Sequence, residues 1–505
     1  MKFKYNVISS YLSKFINTIL VLVCAPVYIS IIGIESYGII SVYMLIQTLM
    51  VVLDAGISST FTRQVALSVD DKNKSELVSI HLKAIFIVFF VICLVISTVS
   101  LIFPSGLVSV IFPDNNEIDK SVLYDSASLI GLVVGLRWLS GPLKSIYIGC
   151  QYLVRLNTIN IVVSITKYVG VIPLLYVSDN ALIHYFTFQL FLSLVEFIVL
   201  LLGANKLFPF INRKLSLNRL KEGKRIYTFA VTVALSSWLW IGISQIDKIL
   251  LTKYLSLKEF AYFTLAATLF NSMYLLITPA AQAILPKLAL SYGKNINSYY
   301  KVFDDVVLKV YAFVAPVSIF ILLYSNEIIY IWLENSLIID GSNRYIIFYL
   351  LATILMLVVN SFYYLQHSQG DLKLHNTFHL FLFLFFVFCM YFGIESYGVL
   401  GASVSWLLGA FIYLFLGGVI VFRKHHNRSF YSWLFRYIIP PFFISTAIIS
   451  LVRGLVGFEF IYDEGERLHN LLVLTCHSLF AFFPIVGLYY FYLMFINSNS
   501  IKDRL

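Results

Sequence analysis

The stretch LIHYFTFQLFLSLVEFIVLLLG, residues 182–203, carries a single acidic side chain, Glu196, in an otherwise mostly apolar run. About 20 such residues suffice for a helix to cross a bilayer, where each segment must satisfy its own backbone hydrogen bonds. Similar stretches recur along the 505-residue chain, which is 60% hydrophobic and 12% charged and has a mean hydropathy of +0.86. Soluble domains have about 25% charged residues. The sequence therefore predicts an all-α polytopic membrane protein.

The apolar stretches predict about fourteen transmembrane helices, arranged as two blocks of six and a C-terminal pair. We place the spans at residues 7–32, 38–59, 84–103, 122–148, 158–177, 182–203, 227–251, 260–285, 306–324, 345–367, 378–392, 398–422, 434–456 and 470–495. We expect two pseudo-symmetric six-helix lobes, 1–204 and 227–422, joined by a basic linker at 205–226. Two additional helices and a short tail occupy 423–505.

The charges of the connecting segments predict the orientation of the chain, because Lys and Arg accumulate in cytoplasmic loops. The linker carries seven cations against one acid, Glu222: Lys206, Arg213, Lys214, Arg219, Lys221, Lys224 and Arg225. The thirteenth connection instead carries an excess of acids: Glu459, Asp463, Glu464 and Glu466 against Arg467. The seventh connection, with Lys253 and Lys258, is an exception. Both termini are predicted to be cytoplasmic, and inner loops explain the net charge of +10 without a nucleic-acid partner.

Short repeats support two related blocks. GIESYG at 33–38 aligns with SLKEFA at 256–261, and RQVA at 63–66 aligns at the same offset with PKLA at 286–289. A second copy of GIESYG lies at 393–398. Because both repeats would start on the same side of the membrane, we expect parallel symmetry about the membrane normal.

Ionisable residues inside the predicted spans are the strongest functional signal, because charges in lipid are costly and usually face a bundle interior or a wet cavity. Three pairs of polar residues are spaced by seven positions, which places each pair on one helical face. These pairs are Arg137 with Lys144, Asn160 with Lys167, and Gln189 with Glu196. Asp54 lies in the second span, and Asp247 and Lys248 lie toward the outer end of the seventh.

Besides a functional role, two structural interpretations of these charges remain open. They could form internal ion pairs, for example Glu196 with Lys167, or they could snorkel from span ends to the interface, as for Lys144, Lys248 and Arg436. Arg137 and Lys167 lie near the middle of their spans. For these two we favour a cavity lining, which would attract a phosphate-bearing or acidic substrate.

Two uncharged polar stripes would suit an oligosaccharide or, equally, helix packing. The stripes are Asn271, Tyr274, Thr278 and Gln282 in the eighth span, and Asn360, Tyr363, Tyr364 and His367 in the tenth. No nucleophile elbow, phosphate-binding loop or zinc motif is present in the sequence, so we expect neither an enzyme nor a metal or other cofactor. We interpret the five scattered cysteines as small hydrophobic residues. His425 and His426 are predicted to be solvated in an inner loop.

Residues 26–66 resemble the opening of the Wzx-type O-antigen and polysaccharide flippases, in the multidrug/oligosaccharidyl-lipid/polysaccharide exporter superfamily. The residues that carry this resemblance are Gly33, Tyr37-Gly38, Leu53-Asp54-Ala55-Gly56 and Arg63. Gly149-Cys150-Gln151 through Asn157 is similar to the family's connection after the fourth span, and Gln245-Ile246-Asp247-Lys248 to its seventh-span motif.

The resemblance implies a bacterial inner-membrane protein that moves an undecaprenyl-pyrophosphate-linked oligosaccharide from the cytoplasmic to the periplasmic leaflet by alternating access. We assign substrate binding to a set of mainly cationic and aromatic residues: Arg137, Lys144, Lys167, Lys248, Asn271, Tyr363 and Tyr364. Coupling to a proton or sodium ion, or gating, is assigned to Asp54, Arg63, Glu196 and Asp247. A polysaccharide polymerase and a chain-length regulator are candidate partners. The alternatives are a multidrug exporter of the same superfamily and a polysaccharide polymerase or ligase.

Overall fold

The computed structural model describes residues 2–54, 56–69, 71–112, 118–178, 180–214, 224–275, 277, 285, 288, 291–292, 295–333, 337–456, 460–461 and 466–502. Regular secondary structure in these residues is entirely helical. The chain divides into two compact units, Met1–Leu265 and Ala266–Leu505. Several predicted features lie outside the described residues: Thr278, Gln282, the repeat residues 286–287 and 289, and the loop charges at 219, 221, 222, 459 and 463–464.

The helices of the first unit follow the apolar stretches of the sequence. They are α1 Lys2–Ile32, α2 Ile34–Leu53, α3 Ile57–Ser68, α4 Lys72–Ile102, α5 Pro104–Ile111, α6 Lys120–Leu139, α7 Gly141–Gly149, α8 Leu153–Tyr168, α9 Ile172–Val177, α10 Ala181–Leu207 and α11 Lys224–Tyr254. A further helix, α12 Leu257–Asn271, includes the boundary between the units.

The second unit continues the pattern with longer helices. They are α13 Ile296–Leu323, α14 Ser325–Leu333, α15 Leu337–Gln369, α16 Lys373–Ile412, α17 Gly418–His425, α18 Phe430–Trp433, α19 Ile439–Leu455 and α20 Arg467–Lys502. Two π-helical turns, Tyr413–Gly417 and Leu434–Ile438, are inserted beside α17 and α18.

Ten helices within the described residues are long and apolar enough to cross a membrane, which confirms the polytopic membrane fold. One of them, Lys373–His425, is 53 residues long. It breaks at Gly398, whose φ of 57° and ψ of −133° are not helical, in the segment where the eleventh and twelfth predicted spans meet. The number of about fourteen spans and the lobe boundaries at 204 and 227 stay predictions.

The second predicted span, residues 38–59, is wrong as a single helix, because α2 ends at Leu53 and a separate helix, α3, begins at Ile57. Gly56 has a φ of 67°, a left-handed conformation that glycine adopts without the steric cost that a Cβ imposes. The Asp54 carboxylate accepts hydrogen bonds from the Ser58 backbone N–H at 3.2 Å and the Ser58 hydroxyl at 2.6 Å. It therefore satisfies a donor at the start of α3, which would otherwise lack a partner within the helix.

Packing in the first unit brings the polar faces of its helices together. α6 and α7 pack against α10, α1 packs against α8, and α11 packs against α2 and α3. The apolar core between them includes Phe89 and Trp138, whose rings stack with their centroids 4.1 Å apart. Trp138 follows Arg137 directly, so this stacking fixes the part of α6 that carries the arginine.

The beginning of the predicted linker packs onto the first unit. Phe208 and Phe210 are buried, and the ring of Phe210 lies 5.7 Å from that of Phe86 on α4. The Lys83 ammonium donates to the backbone carbonyls of Ile211 at 2.7 Å and Arg213 at 2.8 Å. Residues 205–214 are thus ordered against α4, whereas residues 215–223 lie outside the described residues.

The C-terminal pair of helices belongs to the core of the second unit. α19 packs against α13 and α20, and α15 packs against α16. Buried side chains of α13, α19 and α20, among them Ile319, Ile449 and Tyr489, form one apolar cluster. Arg453 on α19 also forms a salt bridge with the buried Glu327 on α14. The last two helices are therefore built into this unit.

Replacing Gly401 with Ala should destabilise the hairpin within α16. A Cβ at Gly401 would overlap the backbone carbonyl of Gly393, and backbone atoms cannot move aside as a flexible side chain can. We expect a loss of about 1–3 kcal/mol, the usual cost of overpacking, seen as a lower unfolding midpoint of the detergent-solubilised protein. Gly454→Ala is the control, because a Cβ at Gly454 would meet no atom within 4 Å. Equal midpoints for the two variants would contradict this account of the turn.

Candidate functional site

Arg137 on α6 is held by uncharged side chains from two neighbouring helices. Its Nε donates to the Ser193 hydroxyl at 2.9 Å and its Nη2 to the Gln189 amide oxygen at 2.9 Å, both on α10. Its Nη1 lies 3.5 Å from the Gln47 amide oxygen on α2. A guanidinium has five N–H donors, so at least two can still bind a ligand. In the described part of the chain, no carboxylate lies within salt-bridge distance of Arg137.

A second polar contact joins α10 to α7. The Lys144 ammonium on α7 lies 2.7 Å from the Glu196 carboxylate on α10. Glu196 is buried, whereas the Lys144 side chain is 36% exposed. Glu196 therefore forms an internal ion pair, one of the two alternatives left open by the sequence, but its partner is Lys144 and not Lys167, because the packing of α7 against α10 brings Lys144 closer.

Lys167 on α8 is buried and lies among aromatic rings. Its ammonium is 4.8 Å from the centroid of the Tyr168 ring and 5.8 Å from that of Tyr43. Cations are attracted to the faces of aromatic rings at these distances. Its backbone carbonyl accepts a hydrogen bond at 3.2 Å from Gln189, the side chain that also binds Arg137. Gln189 thus connects the backbone of α8 to the arginine.

A cavity of about 360 Å³ opens beside Arg137 in the first unit. Its walls come from α2, α3, α6 and α7: Gln47, Met50, Asp54, Ser58, Val134, Arg137, Trp138 and Gly141. Arg137 and Asp54 therefore line the same space, one as a cation and one as a hydrogen-bonded acid. The end of α2, the beginning of α3 and the adjacent ends of α6 and α7 shape this cavity. A cavity with mostly apolar walls and a few convergent polar groups is typical of a ligand site.

The remaining predicted coupling residues lie on α3 and α11. Arg63 is exposed on α3, so it is not part of the cavity wall described above. Asp247 is completely buried, and its carboxylate accepts a hydrogen bond at 2.7 Å from the backbone N–H of Lys248. The Lys248 ammonium donates to the Gln245 amide oxygen at 3.2 Å. Lys248 is therefore engaged locally on its own helix and is not among the residues of the cavity wall.

The predicted sugar-binding residues of the second unit have aromatic neighbours. The Asn271 amide nitrogen lies 3.5 Å from the Tyr349 hydroxyl. The ring of Tyr363 on α15 lies 5.6 Å from that of Tyr364, and 5.0 Å from that of His375 on α16. The structure thus brings Tyr363 and Tyr364 together and adds a histidine that sequence spacing did not select.

Sequence reasoning did not select Gln47 and Ser193. Both side chains are uncharged, so neither was among the ionisable residues that indicated the candidate site in the sequence. Ser193 lies four residues after Gln189 and three before Glu196, which places all three on one face of α10. That spacing was available from the sequence. Gln47 comes from another helix, and only the packing of α2 shows its part.

His425 and His426 are buried, so their predicted role as solvated loop residues is wrong. His426 Nε2 lies 3.1 Å from the carboxylate of Asp304 on α13. The same carboxylate lies 3.3 Å from the Arg428 guanidinium. His425 Nδ1 lies 2.7 Å from the Gln369 amide oxygen. Nearby, the Lys424 ammonium lies 2.7 Å from Asp371 and holds the pKa of that carboxyl below its usual range. The basic segment after α17 is therefore fixed to the ends of α13 and α15.

Comparison with known families and proteins shows which ones this chain is similar to. The profile of the family described as "Polysaccharide biosynthesis protein" matches residues 3–290. A protein of Shigella flexneri named "Putative O-antigen transporter" is 22% identical over 186 residues, which are 37% of this chain and 44% of that protein. The match therefore spans less than half the length of this relative.

Solved structures agree on the fold. The lipid II flippase MurJ in its inward closed conformation superposes with a TM-score of 0.72 at 14% identity, over 97% of this chain and 100% of that one. An inward-facing multidrug resistance MATE family transporter of the MOP superfamily gives 0.60 at 15% identity, over 80% of this chain and 94% of that one. At these identities the likeness is one of fold.

Proposed function

The chain belongs to the polysaccharide biosynthesis protein family, and from this premise we propose that it is a flippase whose cargo is an oligosaccharide linked to an anionic lipid. The predicted resemblance to the Wzx-type flippases is confirmed by the family match and by the O-antigen transporter relative. The cargo is an undecaprenyl-pyrophosphate-linked repeat unit, moved from the cytoplasmic to the periplasmic leaflet of a bacterial inner membrane. Both chain termini would then be cytoplasmic.

An anionic cargo is supported by the positive charge of Arg137, which has no acidic partner among the described residues. A guanidinium keeps its charge in a protein, and the described hydrogen-bond partners of Arg137 are the neutral side chains of Gln47, Gln189 and Ser193. The nearby acid Glu196 is paired with Lys144. The positive charge of Arg137 at the cavity wall is therefore available for phosphate, which binds arginine through strong charge-assisted hydrogen bonds. An organic-cation exporter would be disfavoured by this charge.

The other assigned residues complete the proposal. Lys167 adds positive potential near Arg137, and Lys144 and Lys248 are further cations for acidic groups of the cargo. Asn271, Tyr363 and Tyr364 would contact sugar rings. Alternating access would be coupled to a proton or sodium ion through Asp54 and Asp247, with Arg63 in the gating machinery. A polysaccharide polymerase and a chain-length regulator would act on the delivered cargo.

Expression in a bacterium that lacks its own flippase tests this function. The wild-type chain should restore surface polysaccharide when the strain supplies the matching repeat unit. Accumulation of the lipid-linked intermediate on the cytoplasmic side, with no surface product, would refute the proposal. Because the repeat unit is unidentified, the test uses a panel of strains with acidic and neutral repeat units.

Lys167→Met should lower the initial rate of polysaccharide restoration about tenfold, which corresponds to ~1.4 kcal/mol of lost attraction for the anionic cargo. Methionine keeps the length and apolar stem of lysine but removes the charge that lies between Tyr43 and Tyr168. Lys309→Met is the matched control, since the Lys309 side chain is 61% exposed and pairs with Asp305 on its own helix. An undiminished rate in the Lys167 variant would remove this lysine from the binding site.

A further inference from the structure

The contact between Lys144 and Glu196 joins an accessible cation to an inaccessible anion. The Lys144 side chain is 36% exposed and that of Glu196 is 7% exposed, with 2.7 Å between the ammonium and the carboxylate. The lysine is therefore partly accessible from outside the protein, whereas the glutamate faces the protein interior. The Glu196 carboxylate thus occupies the position on Lys144 that an external anion would otherwise take.

The position of the pair relates it to the cavity. Gly141 forms part of the cavity wall, and Lys144 follows it by three residues on the same helix, about one turn further. Arg137 lies seven residues before Lys144, near the end of α6, and only Ser140 separates α6 from α7. On α10, Ser193 bonds Arg137 and Glu196 bonds Lys144. Because Ser193 and Glu196 are three residues apart, Arg137 and Lys144 bind to neighbouring turns of α10, and the cation of Lys144 is already occupied by Glu196.

We propose that Glu196 is a resident competitor for Lys144 that weakens the binding of phosphate-bearing cargo and so promotes its release. This inference rests on the proposed function and deepens it. A cargo phosphate that engages both Arg137 and Lys144 must displace Glu196. The displaced carboxylate stays buried without a cation, which is costly.

Competition by Glu196 therefore limits the affinity of the site for its cargo to a value that still permits release. Arg137 and Lys144 without an internal anion would together hold a pyrophosphate too tightly for rapid turnover, since movement through a protein requires binding that is also weak enough to reverse. When Glu196 returns to Lys144, it regains its partner and the anion loses one of its two anchors. Glu196 acts through Lys144 and is therefore a positioning residue rather than a ligand of the cargo.

Glu196→Gln tests the proposal, because glutamine keeps the shape and can still accept a hydrogen bond from Lys144 but no longer carries the competing charge. The probe is farnesyl pyrophosphate, added to the purified full-length protein in nanodiscs of phosphatidylcholine, whose headgroup carries no net charge. We expect the variant to bind the probe about tenfold more tightly than wild type. In the flippase-deficient strain, the same variant should restore surface polysaccharide more slowly.

A gain in affinity together with a loss of transport separates this role from a structural one, because a misfolded variant would lose both. Glu196→Asp retains the charge and should bind the probe as weakly as wild type. In a Lys144→Met background, Glu196→Gln should raise affinity much less than tenfold. Affinity in Glu196→Gln equal to or below that of wild type would overturn the inference and leave the proposed function standing. A wild-type protein that binds no probe and restores no polysaccharide would overturn both.

Discussion

Arg137→Ala is expected to abolish most of the transport activity and to lower the affinity for farnesyl pyrophosphate about a hundredfold. The guanidinium offers at least two free N–H donors at the cavity wall, and losing a buried, charge-assisted contact typically costs 2–5 kcal/mol, roughly thirtyfold or more. Arg137→Lys should recover only part of the loss, because an ammonium cannot bind Ser193, Gln189 and a phosphate with the same fork geometry. Binding to the protein in nanodiscs and restoration of surface polysaccharide are the two measurements.

The matched control for this change is Arg213→Ala. The Arg213 guanidinium is half-exposed and lies 3.9 Å from Glu76, a loose surface pair worth little energy. We expect both its affinity and its transport to remain near wild type. If Arg137→Ala transported as well as Arg213→Ala at equal amounts of membrane-inserted protein, the phosphate site would have to lie elsewhere.

Asp304→Ala is expected to give the largest loss of stability, about 3 kcal/mol or more. Asp304 is 3% exposed and contacts both His426 and Arg428, so its removal leaves a buried imidazole and a half-buried guanidinium without their acid. The segment after α17 would lose its attachment to α13. Thermal unfolding of the detergent-solubilised protein, followed by size-exclusion chromatography, measures the effect.

Asp305→Ala provides a direct comparison at the neighbouring position. The Asp305 side chain is 47% exposed and pairs with Lys309 one turn along the same helix, an interaction usually worth less than about 0.5 kcal/mol. We expect its unfolding temperature to stay near that of wild type. If both aspartate variants unfolded at one temperature, the buried network around His426 would not stabilise the second unit.

The polar face around Arg137 was predictable in part. Seven-residue spacing placed Arg137 with Lys144 and Gln189 with Glu196 on common helical faces, and the structure brings these two faces together on α6, α7 and α10. The spacing did not tell which residues would meet across the helices. Glu196 pairs with Lys144 rather than Lys167 because the helices that pack side by side are fixed by the entire core.

The sequence also did not predict the helix break near Gly56 or the burial of His425 and His426. Residues 38–59 are apolar enough to form one span, yet Gly56 and the Asp54 contact with Ser58 end one helix and begin another. His425 and His426 follow a basic run that is typical of a solvated loop, but Asp304 and Gln369 come from distant parts of the chain to bury them. Hydropathy averages over such single-residue effects.

The sequence by itself determined that this protein is a bundle of apolar helices with a few costly charges inside them. The reason is that lipid offers no hydrogen bonds, so each spanning segment must satisfy its backbone alone and shows this in its own composition. Only the tertiary structure decided which charges neutralise one another and which remain available to a ligand. That outcome depends on the neighbours and the axial register of each helix, and it left Arg137 with neutral partners beside a cavity while Lys144 was already bound to Glu196.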